Sequence, residues 1–279
     1  MPFRLGALPG TQATRSKIHV PTKESIQIEK ERNQLKKSTV FLLGSVLVLS
    51  ACGDESEGSE EAAGDITLGA TAGPYSDMLS EAIVPGLEEK GYSVDIQEFS
   101  DYVYPNNALA NEEIDANLFQ HTVYLENFTE ENNLDLVGLI TVPTAPMGLY
   151  SDEYSDLSDV AEGTEVAIPN DPTNAARAFI MLEEEGLSEF EDGIDELTAS
   201  ARDITGNPLD LQFVELEAAQ LPRQVGSSAL TAVPGNFALG AEMDLLDALA
   251  LENMPDQYRN VVAVRAEDED GQLASDIVE

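Results

Sequence analysis

The chain has a single cysteine, Cys52, so no disulfide can form within it, and whatever it folds into must be held by a packed core. The setting of Cys52 removes even that thiol from the fold. It closes the run Leu49-Ser50-Ala51-Cys52 behind an apolar stretch, Val40 to Val48, which follows Lys36 and Lys37. Basic residues, a short apolar run and small residues before a cysteine make up a secretory signal with a lipoprotein cleavage site. The freed thiol is expected to carry lipid, palmitate included.

A buried helix would continue in apolar residues, whereas Gly53-Asp54-Glu55-Ser56-Glu57 follows at once. The apolar run is also too short for a membrane span, which takes about 20 residues. The sequence therefore predicts a signal region over 1–51, an acidic flexible tether over 52–65 and a folded domain from Ile66 onward, lipid-anchored on the extracytoplasmic face of the cell membrane. Signal peptides usually run about 15 to 30 residues, so translation is expected to start late, at Leu35 through a non-AUG codon.

Six Lys and Arg residues face 50 Asp and Glu residues after Cys52, and Lys90 is the sole lysine among them. A surface so acidic repels phosphate, which excludes nucleic acid as a partner. Self-repulsion also opposes compaction in dilute buffer, and at about 1 M salt the screening length falls to roughly 3 Å. The composition therefore reads as salt-adapted.

Strand and helix signals alternate through the folded part. Ile66 to Ala70 reads as a strand. Ser76 or Asp77 then caps a helix bearing Leu79, Ile83 and Leu87, with Gly91 ending it, and Val94 and Ile96 mark the next strand. Glu165 to Ile168 and Leu211 to Leu216 read as further strands. Between them Asp171 and Pro172 serve as cap and first position of a helix to Glu185, with Gly186 behind it. Such alternation predicts an α/β fold with parallel sheets covered on both faces.

Signatures of catalysis are missing. His121 is the only histidine after Cys52, and neither a Gly-x-Ser-x-Gly elbow nor a phosphate-binding Gly-x-x-x-x-Gly-Lys loop occurs. Asp268-Glu269-Asp270-Gly271 is similar to a calcium loop but lacks the distal bidentate Glu, and reads as a solvated acidic turn. No cofactor or metal site is expected.

Polar and aromatic clusters at strand ends carry more information, because ligands of open α/β sheets bind there. Ser100-Asp101-Tyr102-Val103 and Asp115-Ala116-Asn117-Leu118-Phe119-Gln120-His121 are two of them. A third, Ile168 to Arg177, places Asn174 and Arg177 three apart on the first turns of a helix, near free N–H groups and the positive end of the dipole, where a small carboxylate would sit. The alternative is that Arg177 pairs with one of the many acids.

In these clusters and their order the chain resembles the methionine-binding lipoproteins of ABC importers, the NlpA or MetQ group. The resemblance runs from Ile66 to about Arg265. It rests on Phe99 to Val103, Ile114 to Asn117 with Phe119-Gln120-His121, Pro146 to Ser151, Ile168 to Asn174 with Arg177, and Glu215 to Arg223, all in order. It implies a two-lobed periplasmic-binding-protein fold (type II) with the ligand in the interlobe cleft. Chain crossings are expected near 142–146 and 233–236, with 66–145 plus 237–279 forming lobe 1 and 146–236 lobe 2. It further implies a ligand site of Tyr102, Phe119, His121, Asn174, Arg177 and Asn236. There Arg177 grips the α-carboxylate through its fork, Asn174 and Asn236 add polar contacts, and Tyr102, Phe119 and His121 line the side-chain pocket.

Two stretches depart from the family pattern. Ala175 and Ala176 precede the arginine where relatives often have Gly or Leu followed by Gly, and Pro234-Gly235-Asn236-Phe237 stands where they often read Asn-x-Asn-Tyr. Relatives also run on through a final helix beyond the position of Glu279, so a shortened or truncated closing element is expected. The implied function is a monomeric receptor, not an enzyme, that captures L-methionine and delivers it to a permease driven by a separate ATPase. Other ligands open at this point are D-methionine, a methionine dipeptide or another small amino acid. An extracellular hydrolase and a cation-binding surface protein are the readings from other classes.

Overall fold

The computed structural model describes residues 64–279. The signal region, Cys52 and most of the tether lie outside the described residues. The described residues include two ahead of the expected boundary. Gly64 and Asp65 open strand β1 (Gly64–Thr71), because they already pair with Tyr92 and Ser93 of β2 (Tyr92–Phe99).

Two five-stranded sheets organise the chain. The first has the order β2-β1-β3-β12-β4, with β3 at Ala116–His121, β4 at Leu136–Thr141 and β12 at Asn260–Arg265. The second has the order β11-β5-β10-β6-β9, with β5 at Gly148–Tyr150, β6 at Glu165–Pro169, β9 at Gln212–Leu216, β10 at Leu230–Val233 and β11 at Ala250–Leu251. A separate ribbon pairs β7 (Glu189–Phe190) with β8 (Ile204–Gly206).

Neither sheet is wholly parallel, contrary to the sequence reading. β12 runs antiparallel to both β3 and β4, and β5 runs antiparallel to β10 and β11. These are the strands next to the chain crossings: a segment arriving from the other lobe enters without a βαβ crossover, so nothing imposes the parallel sense.

The chain first passes between sheets in 142–147. It returns only after Leu251, not near 233–236, because β11 still pairs with the β5 edge of the second sheet. Residues up to 251 therefore contribute to the second sheet, and 260–279 to the first.

The first helix starts earlier than its expected cap. Pro74 takes the first helical position of α1 (Pro74–Met78) behind Gly73, whose φ is 97°. Ser76, expected as the cap, instead donates its hydroxyl to Glu98 Oε1 at 2.6 Å. A wide π turn over Leu79–Ile83 separates α1 from α2 (Val84–Glu89). Pro85 explains it, since its missing N–H cannot bond the carbonyl four residues back and the helix widens there.

The central strands of each sheet bury both faces. In β12, Val262 and Val264 join the core formed with Leu68, Leu79, Leu87 and Leu118, and Val261 and Ala263 join that under α3 (Tyr104–Ala110) and α4 (Thr122–Asn132). In β6, Val166 and Ile168 pack on Phe179 and Leu182 of α5 (Pro172–Glu184), whereas Ala167 meets Ala238 of α6 (Gly235–Gly240) on the opposite face. The closing helix α7 (Gln272–Val278) lays Ile277 on the first core, and its Asp276 accepts from the Tyr92 hydroxyl at 2.8 Å and pairs with Lys90.

Asp268 lies in a short helical turn with its carboxylate on Arg265 Nε at 2.7 Å. Among the described residues no three His, Cys, Asp or Glu side chains group as metal ligands, and no helix is long and apolar enough to cross a membrane.

Candidate functional site

Between the lobes lies a narrow, nearly closed cleft, and all six residues singled out from the sequence border it: Tyr102, Phe119 and His121 from the first lobe, Asn174, Arg177 and Asn236 from the second. Both α/β sheets thus point strand ends at one cavity, as ligand sites at strand termini require.

The first wall is strand β3. It is buried along its whole length, and strict alternation would turn one of any three consecutive side chains away. A bulge prevents this. Val261 pairs with Gln120 and Val262 with Leu118, leaving Phe119 as the extra residue. Phe119, Gln120 and His121 consequently all border the cleft.

Behind them an amide network ties β3 to α3. Asn106 Nδ2 donates to Gln120 Oε1 at 2.6 Å, Gln120 Nε2 returns to Asn106 Oδ1 at 2.7 Å, and Asn117 Nδ2 adds a bond to the same oxygen at 3.0 Å. In front, Tyr102 packs against Phe119 at 5.8 Å between centroids and against Phe237 at 4.9 Å, while Phe119 meets Tyr124 edge to face at 6.0 Å. Aromatic pairs of this kind contribute about 0.5 to 1.5 kcal/mol beyond their area.

His121 caps α4. Its Nδ1 accepts from the Tyr124 backbone N–H at 3.0 Å, so the ring proton of the neutral form resides on Nε2, which faces Asn174 Oδ1 at 3.2 Å across the cleft. Burial, then the charge of Arg177, hold this imidazole well below its ordinary pKa against the opposing Asn174 hydrogen bond. Burial likewise pushes the Tyr75 phenol, also on the cleft, up to about 12, so it stands there as a neutral hydroxyl.

The second wall is the start of α5. Asp171 caps it, accepting from the Asn174 backbone N–H at 2.9 Å and from Asn174 Nδ2 at 3.0 Å. The chain's own carboxylate therefore occupies the helix end that the sequence reading offered to a ligand. Asn174 is thereby fixed with its Oδ1 toward the cleft, where Arg177 Nη1 also donates to it at 2.9 Å.

Arg177 itself carries a partner. Its Nε and Nη2 donate to Glu252 Oε1 at 2.8 Å and Oε2 at 2.5 Å, and the two side chains are only 5% and 6% exposed. The guanidinium fork expected to grip a ligand is thus engaged by an internal acid, the alternative that the abundance of acids had left open. Burial works against the arginine's charge, and the Glu252 hydrogen bonds and charge outweigh it. Tyr258 covers the guanidinium at 5.2 Å and stands edge-on to His121 at 5.2 Å.

Asn236 closes the cleft from α6. Its Oδ1 accepts from the Tyr102 hydroxyl at 2.6 Å and its Nδ2 reaches Thr71 Oγ1 at 3.4 Å, so it bridges the lobes. The preceding Gly235 is required for that approach: a Cβ there would strike the Pro146 carbonyl oxygen and stand 2.7 Å from Ala145 Cβ on the first crossing.

Sequence reasoning missed Tyr75, Gln120, Tyr124, Thr144 and Asn260 on the cleft, and Glu252 behind it. Gln120 and Tyr124 flank named motif residues and were within reach of the motif itself. Glu252 had no signal, being one acid among 50 in a segment without pattern.

Comparison with known proteins gives the family and the fold. The family model of the NlpA lipoproteins matches residues 66–279. The D-methionine-binding lipoprotein MetQ of Salmonella typhi is 32% identical over 241 residues, covering 85% of this chain and 87% of the relative. The methionine-binding lipoprotein MetQ of Bacillus subtilis is 34% identical over 244 residues, covering 82% and 87%. Among solved structures, a nutrient-binding protein from Burkholderia cenocepacia bound to methionine superposes with a TM-score of 0.74 at 35% identity, covering 77% of this chain and 90% of that one.

Proposed function

The chain belongs to the NlpA lipoprotein family, a family of binding proteins and not of enzymes, and from that premise we propose that it is a substrate-binding lipoprotein of an ABC importer that captures L-methionine. The observation that carries the reading is the composition of the cleft, with an aromatic wall on one lobe and amide and guanidinium groups on the other. A methionine divides the same way. Tyr102, Phe119 and His121 would receive the thioether, whose sulfur gains about 0.3 to 1.5 kcal/mol beside aromatic edges. Asn174, Arg177 and Asn236 would receive the zwitterionic end, with Arg177 offering only the N–H groups that Glu252 and Asn174 leave over.

In this reading Cys52 carries lipid and holds a monomeric receptor at the extracytoplasmic face, from which it hands its ligand to a permease driven by a separate ATPase. The enantiomer is the finer question, since the Salmonella typhi relative is named for D-methionine and the Bacillus subtilis relative for methionine without a stated hand. The acidic surface is proposed to require salt.

Calorimetric titration of the chain with L- and D-methionine, with thermal melts, at low and at molar salt, tests the ligand and the salt requirement. Saturable one-to-one binding of the L form is expected. Binding of neither form at either salt by folded protein would overturn the methionine reading, tighter binding of D-methionine would reassign the ligand, and equal melting temperatures at both salts would reject salt adaptation.

A further inference from the structure

Glu252 is the acid best placed to shape what the cleft accepts. It stands directly after β11 and is anchored apart from Arg177. Its backbone N–H donates to the Met147 carbonyl at 2.9 Å, and its Oε2 accepts from the Met147 N–H at 3.1 Å. Met147 leads into β5, so Glu252 is fixed to the first crossing and is not an acid free to swing away.

Its effect on Arg177 follows from counting donors. A guanidinium has five N–H groups. Glu252 takes one on Nε and one on Nη2, and Asn174 takes one on Nη1, which leaves two. Among the described residues Arg177 is the only Lys or Arg on the cleft. Its charge is matched by Glu252, Asp171 stands one residue pair further on through Asn174, and His121 is held as the Nε2–H tautomer.

We propose that Glu252 is a specificity-determining residue: it presents Arg177 to the cleft as donors whose charge is already balanced, so that the site selects a zwitterion and rejects a carboxylate lacking an ammonium group. The inference rests on the reading of the cleft as an amino-acid site and goes beyond it by assigning charge selection to a residue outside the ligand-facing set. In a cleft of low effective dielectric, a lone anion beside Arg177 would also feel Glu252, bonded to that guanidinium, and Asp171, bonded to Asn174, with one cation among the three carboxylates. An ammonium group on the ligand removes that penalty. Were Arg177 an uncompensated cation, a bare anion would be the preferred partner.

Three probes with the same thioether separate the possibilities: L-methionine as zwitterion, methioninamide as cation and 4-(methylthio)butanoate as anion. Titrated into the full chain in detergent, they are expected to bind in that order, the last two differing by at least about tenfold, the effect of a single like charge at this range. Glu252→Gln, which frees the charge of Arg177, should reverse the last two. Glu252→Asp, which keeps the charge, should weaken all three and preserve their order.

Thermal melts on each variant establish that it is folded, and the order in the unaltered protein tests the proposal even if Glu252→Gln does not fold. An anion that binds the unaltered protein better than the cation overturns the proposal, as does a folded Glu252→Gln with the order unchanged. Failure of both L- and D-methionine to bind would instead overturn the methionine reading of the cleft, and is thereby distinguishable.

Discussion

The first-lobe wall of the cleft is a bulged strand whose groups are neutral: Phe119 and His121 stand on β3 over the Asn106–Gln120–Asn117 amides, packed against Tyr102 and Tyr124. The second-lobe wall is a helix start held by charge: Asp171 caps α5, Asn174 is pinned by that cap, and Arg177 is locked on Glu252. The difference sets how each wall fails. A neutral wall loses a packing contact or one hydrogen bond when altered, whereas a charged wall strands its partner ion in a dry site.

Arg177→Ala should therefore be the most damaging single change on the cleft. It leaves Glu252 buried without a counterion, a defect that costs about 3 to 5 kcal/mol. Ligand binding by this variant would be lost for two reasons at once, folding and recognition. The double change Arg177→Met with Glu252→Leu separates them, because replacing both ions by apolar groups is often neutral in stability. Urea unfolding is expected to show the double variant regaining most of the stability that the single one loses. A single variant as stable as the unaltered protein would show that charge does not hold this wall.

On the neutral wall the corresponding change is Gln120→Leu. It leaves both polar atoms of the buried Asn106 side chain short of a partner, at a cost of about 1 to 3 kcal/mol. The same unfolding measurement applies, and a cost equal to that of Arg177→Ala would erase the distinction between the walls. Tyr102→Phe is milder. It keeps the ring contacts and removes only the hydroxyl bonded to Asn236 across the cleft, worth about 1 kcal/mol. An unaltered methionine affinity in that variant would show that the bridge plays no part in holding the lobes together on the ligand.

How much of this was legible in the sequence also divides by region. The α5 wall was readable because its signals are local: Asp171, Pro172 and Gly186 mark the helix by their own chemistry, and the i, i+3 spacing puts Asn174 and Arg177 on one face. Fixed motif order likewise led to Phe119 and His121, and the resemblance led to Asn236 in a stretch that departs from the family pattern; the structure brings all three to the same cleft. What could not be read depends on pairing across long separations. Glu252 lies 75 residues from Arg177, the bulge at Phe119 exists only against β12, and the late return at 251 reflects a two-residue strand finding the β5 edge. Sheet sense failed for the same reason, because antiparallel entry at a crossing leaves no mark in the local pattern.

The smallest expected effect is one of pH, and it tests whether the His121 bridge between the walls is neutral. His121 titrates lower in the folded chain than its unfolded value of about 6.5. Below that value the unfolded chain binds the proton while the folded chain does not, so stability is fully present above about pH 6.5 and declines as pH falls. Asp171 acts with the opposite sign: burial raises its carboxyl despite the Asn174 and Thr173 hydrogen bonds, so its contribution is fullest at low pH and is lost as pH rises through the folded value. The two oppose each other in the mildly acidic range, and a stability curve of the unaltered protein alone would blur them. His121→Asn resolves the sum, since an Asn oxygen can still cap α4 at the Tyr124 N–H but does not titrate. The difference between the two curves should be flat above about pH 6.5 and turn against the unaltered protein below it, by less than about 1 kcal/mol at pH 6. A difference that stays flat down to pH 5 would mean that His121 takes up its proton as readily in the folded cleft as in the unfolded chain, giving up the Nδ1 bond from the Tyr124 N–H.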